Sequence, residues 1–476
     1  MSKVLFQVLS ALILYFSCLN VGVVFTWPSS TFLLFKSDET PLHRPMVESE
    51  LSLLGSFSSI GALVSNPLTG LFLDRLGRKR SAIITAGIGT ISWGLIAFSN
   101  SVEVILGAVF LAGISGSVLL VVPVYIVEFS DESIRGALTS GSIVFYGVGM
   151  LVSYMIGGLL SYKVMVYICL TLSMIGVMIL MLLKESPTLL MKKGMEEEAK
   201  KSLAFYTNST PDSKVVLQEI MKIKRALAPE ELEVQSPEEE KLTSHVSKNL
   251  PTKKLNFFQF FKKSKSTQRG LLLALTLMTT AIFQGLMVVI VYANPLFVEA
   301  VPEEILSATW CSVILAAVSV VFGIIAAYLT DLIGRRTLII VSSVAAGFSC
   351  IALGTQIHLH WGPQWLTAVF IYLFCATYTC GAGTVPFVLL AELFLPEVKS
   401  IMSMIVMEWT WICNFIILFI FNPLVAAIGL GPVFYIFAAV CFGSAIYCVL
   451  FMPETKGLTV DAIQLLFVKR KRDNVI

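Results

Sequence analysis

Gly70 to Lys79 reads G-L-F-L-D-R-L-G-R-K, and Ala327 to Arg336 reads A-Y-L-T-D-L-I-G-R-R. In each, an aspartate is followed three residues on by glycine and then by two basic residues. Asp74 and Asp331 lie 257 residues apart. Both stretches separate long apolar segments, so one kind of charged turn recurs at a matching place in each half of the chain. Two further pairs keep the same order. Glu128 and Arg135 stand seven apart after one apolar segment, and Glu392 and Lys399 stand seven apart after another, with 264 residues between the two glutamates. Glu185-Ser186-Pro187 and Pro453-Glu454-Thr455-Lys456-Gly457 each follow the last apolar segment of a half, with Glu185 and Glu454 269 residues apart. Three motifs in one order at nearly constant spacing point to a duplicated unit.

The composition says what surrounds that unit. Of the 476 residues, 56% are hydrophobic and 14% charged, against roughly 45–50% and about 25% in an average soluble domain. Lipid removes the need for a polar exterior. An apolar core of about 30 Å takes about 20 helical residues to cross. Such windows fall near 4–26, 50–71, 81–99, 103–127, 138–160 and 163–183. A second set falls near 270–298, 306–330, 337–357, 363–391, 400–425 and 429–452. The expected fold is therefore an all-α membrane protein, with twelve transmembrane helices in two pseudo-symmetric six-helix bundles. The first window is too long for the apolar region of a signal peptide and reads as a span.

Four regions follow: an N-terminal half (1–183), a polar loop (184–268), a C-terminal half (269–452) and a tail (453–476). The loop carries Glu196-Glu197-Glu198, Glu230-Glu231 and Glu238-Glu239-Glu240. Val215, Val216, Ile220 and Ile223 recur in it at helical spacing, which predicts a surface helix. Arg75, Arg78, Lys79, Arg80, Arg335, Arg336 and the basic run 469–472 fall on one side of the membrane if both termini are cytoplasmic, as the positive-inside rule requires. Asn208-Ser209-Thr210 matches a glycosylation sequon, but on that reading it faces the cytoplasm and stays unmodified.

The motifs also have chemistry. Carboxylates and basic residues at cytoplasmic helix ends can pair where the two halves meet, forming when that side closes and breaking when it opens. Several together bias a two-state equilibrium by a few kcal/mol. Duplicated bundles of this kind place a solute path at the repeat interface near mid-membrane. The nine cysteines all fall in apolar stretches and read as small buried residues. No basic patch with interleaved aromatics suggests nucleic acid. No nucleophile–base set, phosphate loop or metal cluster suggests an enzyme, a cofactor or a metal. The expected partners are a small-molecule solute and the bilayer, with the chain as a monomer.

Asp74-Arg75-x-Gly77-Arg78-Lys79, Glu128 through Arg135-Gly136, Asp331-x-x-Gly334-Arg335-Arg336, Glu185-Ser186-Pro187 and the Pro453–Gly457 motif resemble the sugar porter branch of the major facilitator superfamily. The likeness covers nearly the whole chain. Within the branch, Ala391 to Lys399 (A-E-L-F-L-P-E-V-K) is similar to the insect facilitated trehalose and glucose transporters. The resemblance implies an alternating-access carrier of the plasma membrane. Asp74, Arg75, Arg78, Glu128, Arg135, Asp331, Arg335, Arg336, Glu392 and Lys399 would form its cytoplasmic gate, and Glu185 and Glu454 would tie that gate to short cytoplasmic helices. Lys184 stands where the branch has proline.

The pocket that the resemblance implies is depleted. A site for a sugar needs donors and acceptors matched to hydroxyls. The span-five glutamine position holds Ile143. Ala281 and Ile282 replace the two glutamines before Gln284-Gly285, and Met287 replaces the following asparagine. Thr26, Gln284, Ser319, Thr379 and Thr410 remain as polar candidates for solute contact. Phe387 and Trp411 are candidates for stacking on an apolar ring face. No acid stands between Asn20 and Trp27, where proton-coupled relatives carry an aspartate, which favours a facilitator. Glu408, inside span eleven, is the candidate proton site, because an ionisable group there is costly. A sugar uniporter is the leading expectation. A carrier of another small organic solute, a proton-coupled symporter and a non-transporting sugar sensor are the alternatives.

Overall fold

The computed structural model describes residues 3–227, 264–302, 306–394, 396–458 and 460–469. Glu230-Glu231, Glu238-Glu239-Glu240 and Arg470-Lys471-Arg472 lie outside the described residues. Among the described residues, twelve helical segments are long and apolar enough to cross a membrane. They run Lys3–Lys36, Glu48–Arg75, Arg78–Phe98, Val102–Phe129, Ser133–Leu159 and Tyr162–Leu180 in the first half. In the second half they run Lys265–Val291, Ala308–Ile333, Arg335–Leu359, Trp365–Leu390, Ile401–Ile428 and Leu430–Phe451. They are spans one to twelve below. The end of the bundle where the chain begins and ends is called proximal, and the opposite end distal.

Several spans depart from the windows read in the sequence. Span one runs ten residues past 26, through Pro28. A proline inside a helix is tolerated where neighbouring helices and hydroxyls satisfy the freed carbonyls, and Thr31 donates back to the carbonyls of Trp27 and Pro28. Span four breaks at Gly116-Ser117, span seven at Gln284-Gly285 and span ten between Cys380 and Val385, and a further short helix, Ala293–Ala300, follows span seven after Tyr292. Gly285 has φ +98°, and a Cβ there would meet the Phe437 ring at 2.5 Å. Only glycine fits that corner.

Packing repeats with the sequence. Spans one and five, two and four, and three and six pack together in the first half. Seven and eleven, eight and ten, and nine and twelve do so in the second. Between the halves, two lies on eleven and five on eight, which are equivalent pairs under the duplication. Glycines set the closest approaches: a Cβ on Gly22 of span one would lie 2.1 Å from the Tyr146 carbonyl of span five. Small residues serve this purpose in lipid, where close van der Waals contact drives helix association.

The buried apolar side chains divide unequally along the bundle. One cluster joins both halves at the distal end, running from Trp27, Phe32 and Phe35 through Tyr154 to Val288–Phe297 and Phe421. At the proximal end there are two clusters. One draws only on the first half and the helix after it, around Leu14, Tyr125 and Tyr206. The other draws only on the second half and the helix after it, around Leu277, Leu389 and Val406. The halves are thus sealed together distally and separate proximally.

Among the described residues, span six is followed by the short helices Pro187–Lys192, Glu196–Thr207 and Lys214–Leu227. The last is the helix expected from Val215–Ile223; it buries Val216 and Ile220 against Leu190, Ala199, Leu203 and Ala204. Eight of the nine cysteines are buried, Cys380 is half-buried, and all are free thiols.

Candidate functional site

The proximal charges form two copies of one lock. Arg78 is the first residue of span three. Its guanidinium meets Glu128 at the end of span four at 2.8 Å, reaches Asp74 at 3.7 Å and donates to the Leu73 carbonyl at 2.8 Å. Arg335 begins span nine. It meets Glu392 at 2.8 Å and Asp331 at 3.1 Å and donates to the Thr330 carbonyl at 3.1 Å. Arg78 and Glu128 are well shielded, at 6% and 12% side-chain exposure, whereas Asp74 is 78% exposed.

A second carboxylate caps each lock. Glu185 accepts from the backbone N–H groups of Arg78 and Lys79, at 2.8 and 3.0 Å. Glu454 accepts from those of Arg335 and Arg336, at 2.9 and 3.0 Å. Each carboxylate therefore sits on the positive N-terminus of its half's third span. Lys79 and Arg336 complete the attachment by donating to the carbonyls of Met181 and Val449. Burial pushes the Glu454 carboxyl up, but the N–H groups of Lys456, Arg335, Arg336 and Thr455 outweigh it and hold the group below its ordinary value. Ser186, after Glu185, caps the first short helix by accepting from Leu189 N–H.

The sequence led us to expect acid–base pairs across the halves. In this conformation Arg78 and Arg335 pair inside their own halves instead. The reason is local: each arginine starts a span beside the carboxylate that ends the next one. Glu128 and Glu392 accordingly pair with Arg78 and Arg335, and not with the residues seven positions on. Arg135 donates to the Ser130 carbonyl at 3.4 Å and leaves its Nε unpartnered. It lines a cavity of ≈ 270 Å³ with Lys3, Gln7, Glu128 and Asp131. Arg75 is exposed, with the Lys193 ammonium on its carbonyl. Lys399 is exposed.

The membrane-depth candidates separate into two kinds. Thr26, Ser319, Thr379 and Thr410 each donate to the carbonyl four residues back, at Gly22, Leu315, Cys375 and Val406. Thr26 and Thr410 are buried. Their hydroxyls serve their own helices first. Gln284 differs: it is 0% exposed, and neither its Oε1 nor its Nε2 has a partner. Trp411 packs against Phe25 of the other half, centroids 5.9 Å apart, with its Nε1 unpartnered. Glu408 Oε1 and Asn414 Oδ1 are buried and unpartnered too. Phe387 and Ile143 are exposed, and Ile143 lies one turn proximal to Gly147, where span five meets Val320 of span eight. Ile143 therefore stands where the halves part.

The distal seal holds residues that the sequence did not single out. Tyr154 donates to the Ile290 carbonyl at 2.6 Å, and Tyr292 to the Leu418 carbonyl at 3.0 Å. Asn294 N–H donates to Ser29, and the Asn422 amide to Ser52. The signal for part of this set was present, since Tyr292, Asn294 and Asn422 stand in apolar stretches where spans seven and eleven approach the distal end. Asn414 was missed for a plainer reason: its identity says nothing about whether it is partnered.

The chain is similar in sequence to facilitated trehalose transporters of insects. It is 26% identical to that of Polypedilum vanderplanki over 98% of this chain and 89% of the relative, and 24% identical to that of Culex quinquefasciatus over 98% and 86%. Against the longer Drosophila yakuba protein it is 25% identical and spans about half of the relative's length (52%). The fold is that of the xylose transporter XylE from E. coli. In its partially occluded inward-open form the TM-score is 0.75 at 20% identity, covering 95% of this chain and 99% of the other. The model of the family described as sugar (and other) transporter matches residues 3–467, and the chain belongs to that family.

Proposed function

We propose that the protein is a facilitative carrier that moves a sugar across the plasma membrane by alternating access, with both termini in the cytoplasm. The observation that carries this reading is the unequal core: one buried cluster joins the halves distally, and separate clusters fill them proximally. A carrier caught open to one side has that arrangement. Arg78, Glu128, Glu185 and their counterparts Arg335, Glu392 and Glu454 keep the ends of each half rigid while the halves rock. Asp74, Arg75, Asp331 and Lys399 are exposed, and Arg135 lines the proximal cavity, so these side chains can reach the other half when the proximal side closes. The family match and the trehalose-transporting relatives support a sugar as cargo. The positive charges at the proximal end support a cytoplasmic placement of that end.

The test is uptake of labelled glucose and trehalose into vesicles carrying the purified protein, beside an Arg135→Ala control, with and without an inward proton gradient. Saturable uptake that ignores the gradient and falls in the control is expected. Folded protein that takes up neither sugar would defeat the reading. A second reading, another small organic solute, is favoured by Ile143, Ala281, Ile282 and Met287 standing where hydroxyl-binding side chains are expected.

A further inference from the structure

Glu408 is alone of its kind. Every other Asp, Glu, Lys, Arg or His in the twelve spans lies within five residues of a span end. Glu408 lies seven residues after Ile401 and twenty before Ile428, roughly 10 Å and 30 Å along the helix. Its neighbours offer no counter-charge. Span seven has no charged residue from Leu271 to Val291, span two none from Leu51 to Leu73, and span twelve none at all. The short helix Val385–Glu392 contributes only Glu392, which is engaged by Arg335 and Thr455. A carboxylate at this depth requires a partner.

Four further unpartnered atoms stand on the same helix and on span seven, which packs against it. Spans seven and eleven run in the same direction and are registered by Trp409 Nε1 donating to Thr279 Oγ1 at 2.8 Å. Five residues on from that pair, Gln284 and Asn414 stand level with each other. Trp411 lies between Glu408 and Asn414 on the same helix. Glu408 to Asn414 is about 9 Å of helix rise, the length of a hexose-sized molecule. The set offers acceptors at Glu408 Oε1, Asn414 Oδ1 and Gln284 Oε1, and donors at Gln284 Nε2 and Trp411 Nε1. A bare proton would neutralise Glu408 and leave the other four groups unmatched. A neutral sugar would match the four and leave the charge.

We propose that Glu408 is a cargo-binding carboxylate and that its cargo is a small hydroxylated molecule bearing a protonated amine. The inference rests on the carrier reading and narrows the substrate class. The ammonium pairs with Glu408 and lies against the indole of Trp411, an arrangement in which carboxylate and ring face both attract a cation. The hydroxyls take up Gln284 and Asn414. Loss of amide side chains elsewhere in the path is then no defect, since a charge-assisted contact replaces several neutral ones.

The experiment is uptake of labelled glucosamine and labelled glucose by reconstituted wild type, Glu408→Gln and Glu408→Asp at pH 6.5. Expected is a KM for glucosamine at least about tenfold below that for glucose, collapsing toward a ratio of one in Glu408→Gln and partly kept in Glu408→Asp. Equal handling of the two sugars by wild type would overturn the inference and leave the carrier reading standing. So would glucose uptake driven by a proton gradient and abolished in Glu408→Gln. If wild type carries neither sugar, the carrier reading fails on its own. Thermal stabilisation of the purified protein then decides: a Tm rise with glucosamine but not glucose, absent in Glu408→Gln, supports the site, and no rise overturns it.

Discussion

At the scale of single residues, the locks divide into shielded and exposed partners, and the two should respond differently to mutation. Arg78→Ala takes the ion-pair partner from the Glu128 carboxylate, which is 12% exposed. Breaking a buried pair by removing one member costs about 3–5 kcal/mol, so this variant should unfold at clearly lower temperature in detergent. Asp74→Asn removes a carboxylate that is mostly in solvent and should cost less than about 1 kcal/mol; thermal melts of the two side by side check the contrast. Glu454 adds a pH signature. Its folded pKa is depressed, so its contribution is present above the unfolded carboxylate value of about 4.3 and disappears as pH falls through the folded value. The Tm gap between wild type and Glu454→Gln should be full at pH 7 and narrow below about pH 4. These anchors were legible because a charge in an apolar chain is conspicuous and recurs with its partner. The polar groups at membrane depth were not. Thr26, Ser319, Thr379 and Thr410 are bonded to their own helices, whereas the Gln284 amide and the Asn414 Oδ1 are unpartnered. Residue type alone does not separate those states, because the difference lies in rotamer and in what the neighbouring span presents.

Among the elements, the breaks in spans four, seven and ten were not visible in hydropathy, which stays high through them. Only the glycines hinted at them, and glycine in a membrane helix serves close packing as often as it serves a turn. At Gly285 both reasons hold, since φ is +98° and the Phe437 ring fills the space a side chain would need. Gly285→Ala should therefore cost about 1–3 kcal/mol from backbone strain alone, plus displacement of Phe437. Uptake should fall further than stability, because the break sets the direction of the Leu286–Val291 helix that closes the distal end. Paired uptake and melting measurements on that variant test the claim. The apolar window near 4–26 fell short of span one, which continues through Pro28 to Lys36 because a proline is tolerated among packed membrane helices.

For the whole molecule, the balance between its two openings rests on the distal seal. Tyr154→Phe removes one hydrogen bond across the halves, worth about 1 kcal/mol, and should raise the distally open population about fivefold. Thr309, packed against Gly158 across the halves, reports on it: the maleimide labelling rate of Thr309→Cys should rise by a similar factor in Tyr154→Phe. The native thiols, nearly all buried, leave a low background. An unchanged rate would show that the tyrosine does not hold the seal.

The two carboxylate caps have a consequence for how the polypeptide is assembled. Glu185 and Glu454 each fasten the segment after a half's sixth helix back onto the start of its third. Each half is thereby stitched closed on itself, and the contacts of spans two with eleven and five with eight do the joining. Residues 1–227 and 264–476, made as two separate polypeptides in one cell, should find each other and co-purify as a working heterodimer, much as the ancestral single-unit proteins implied by the duplication once had to.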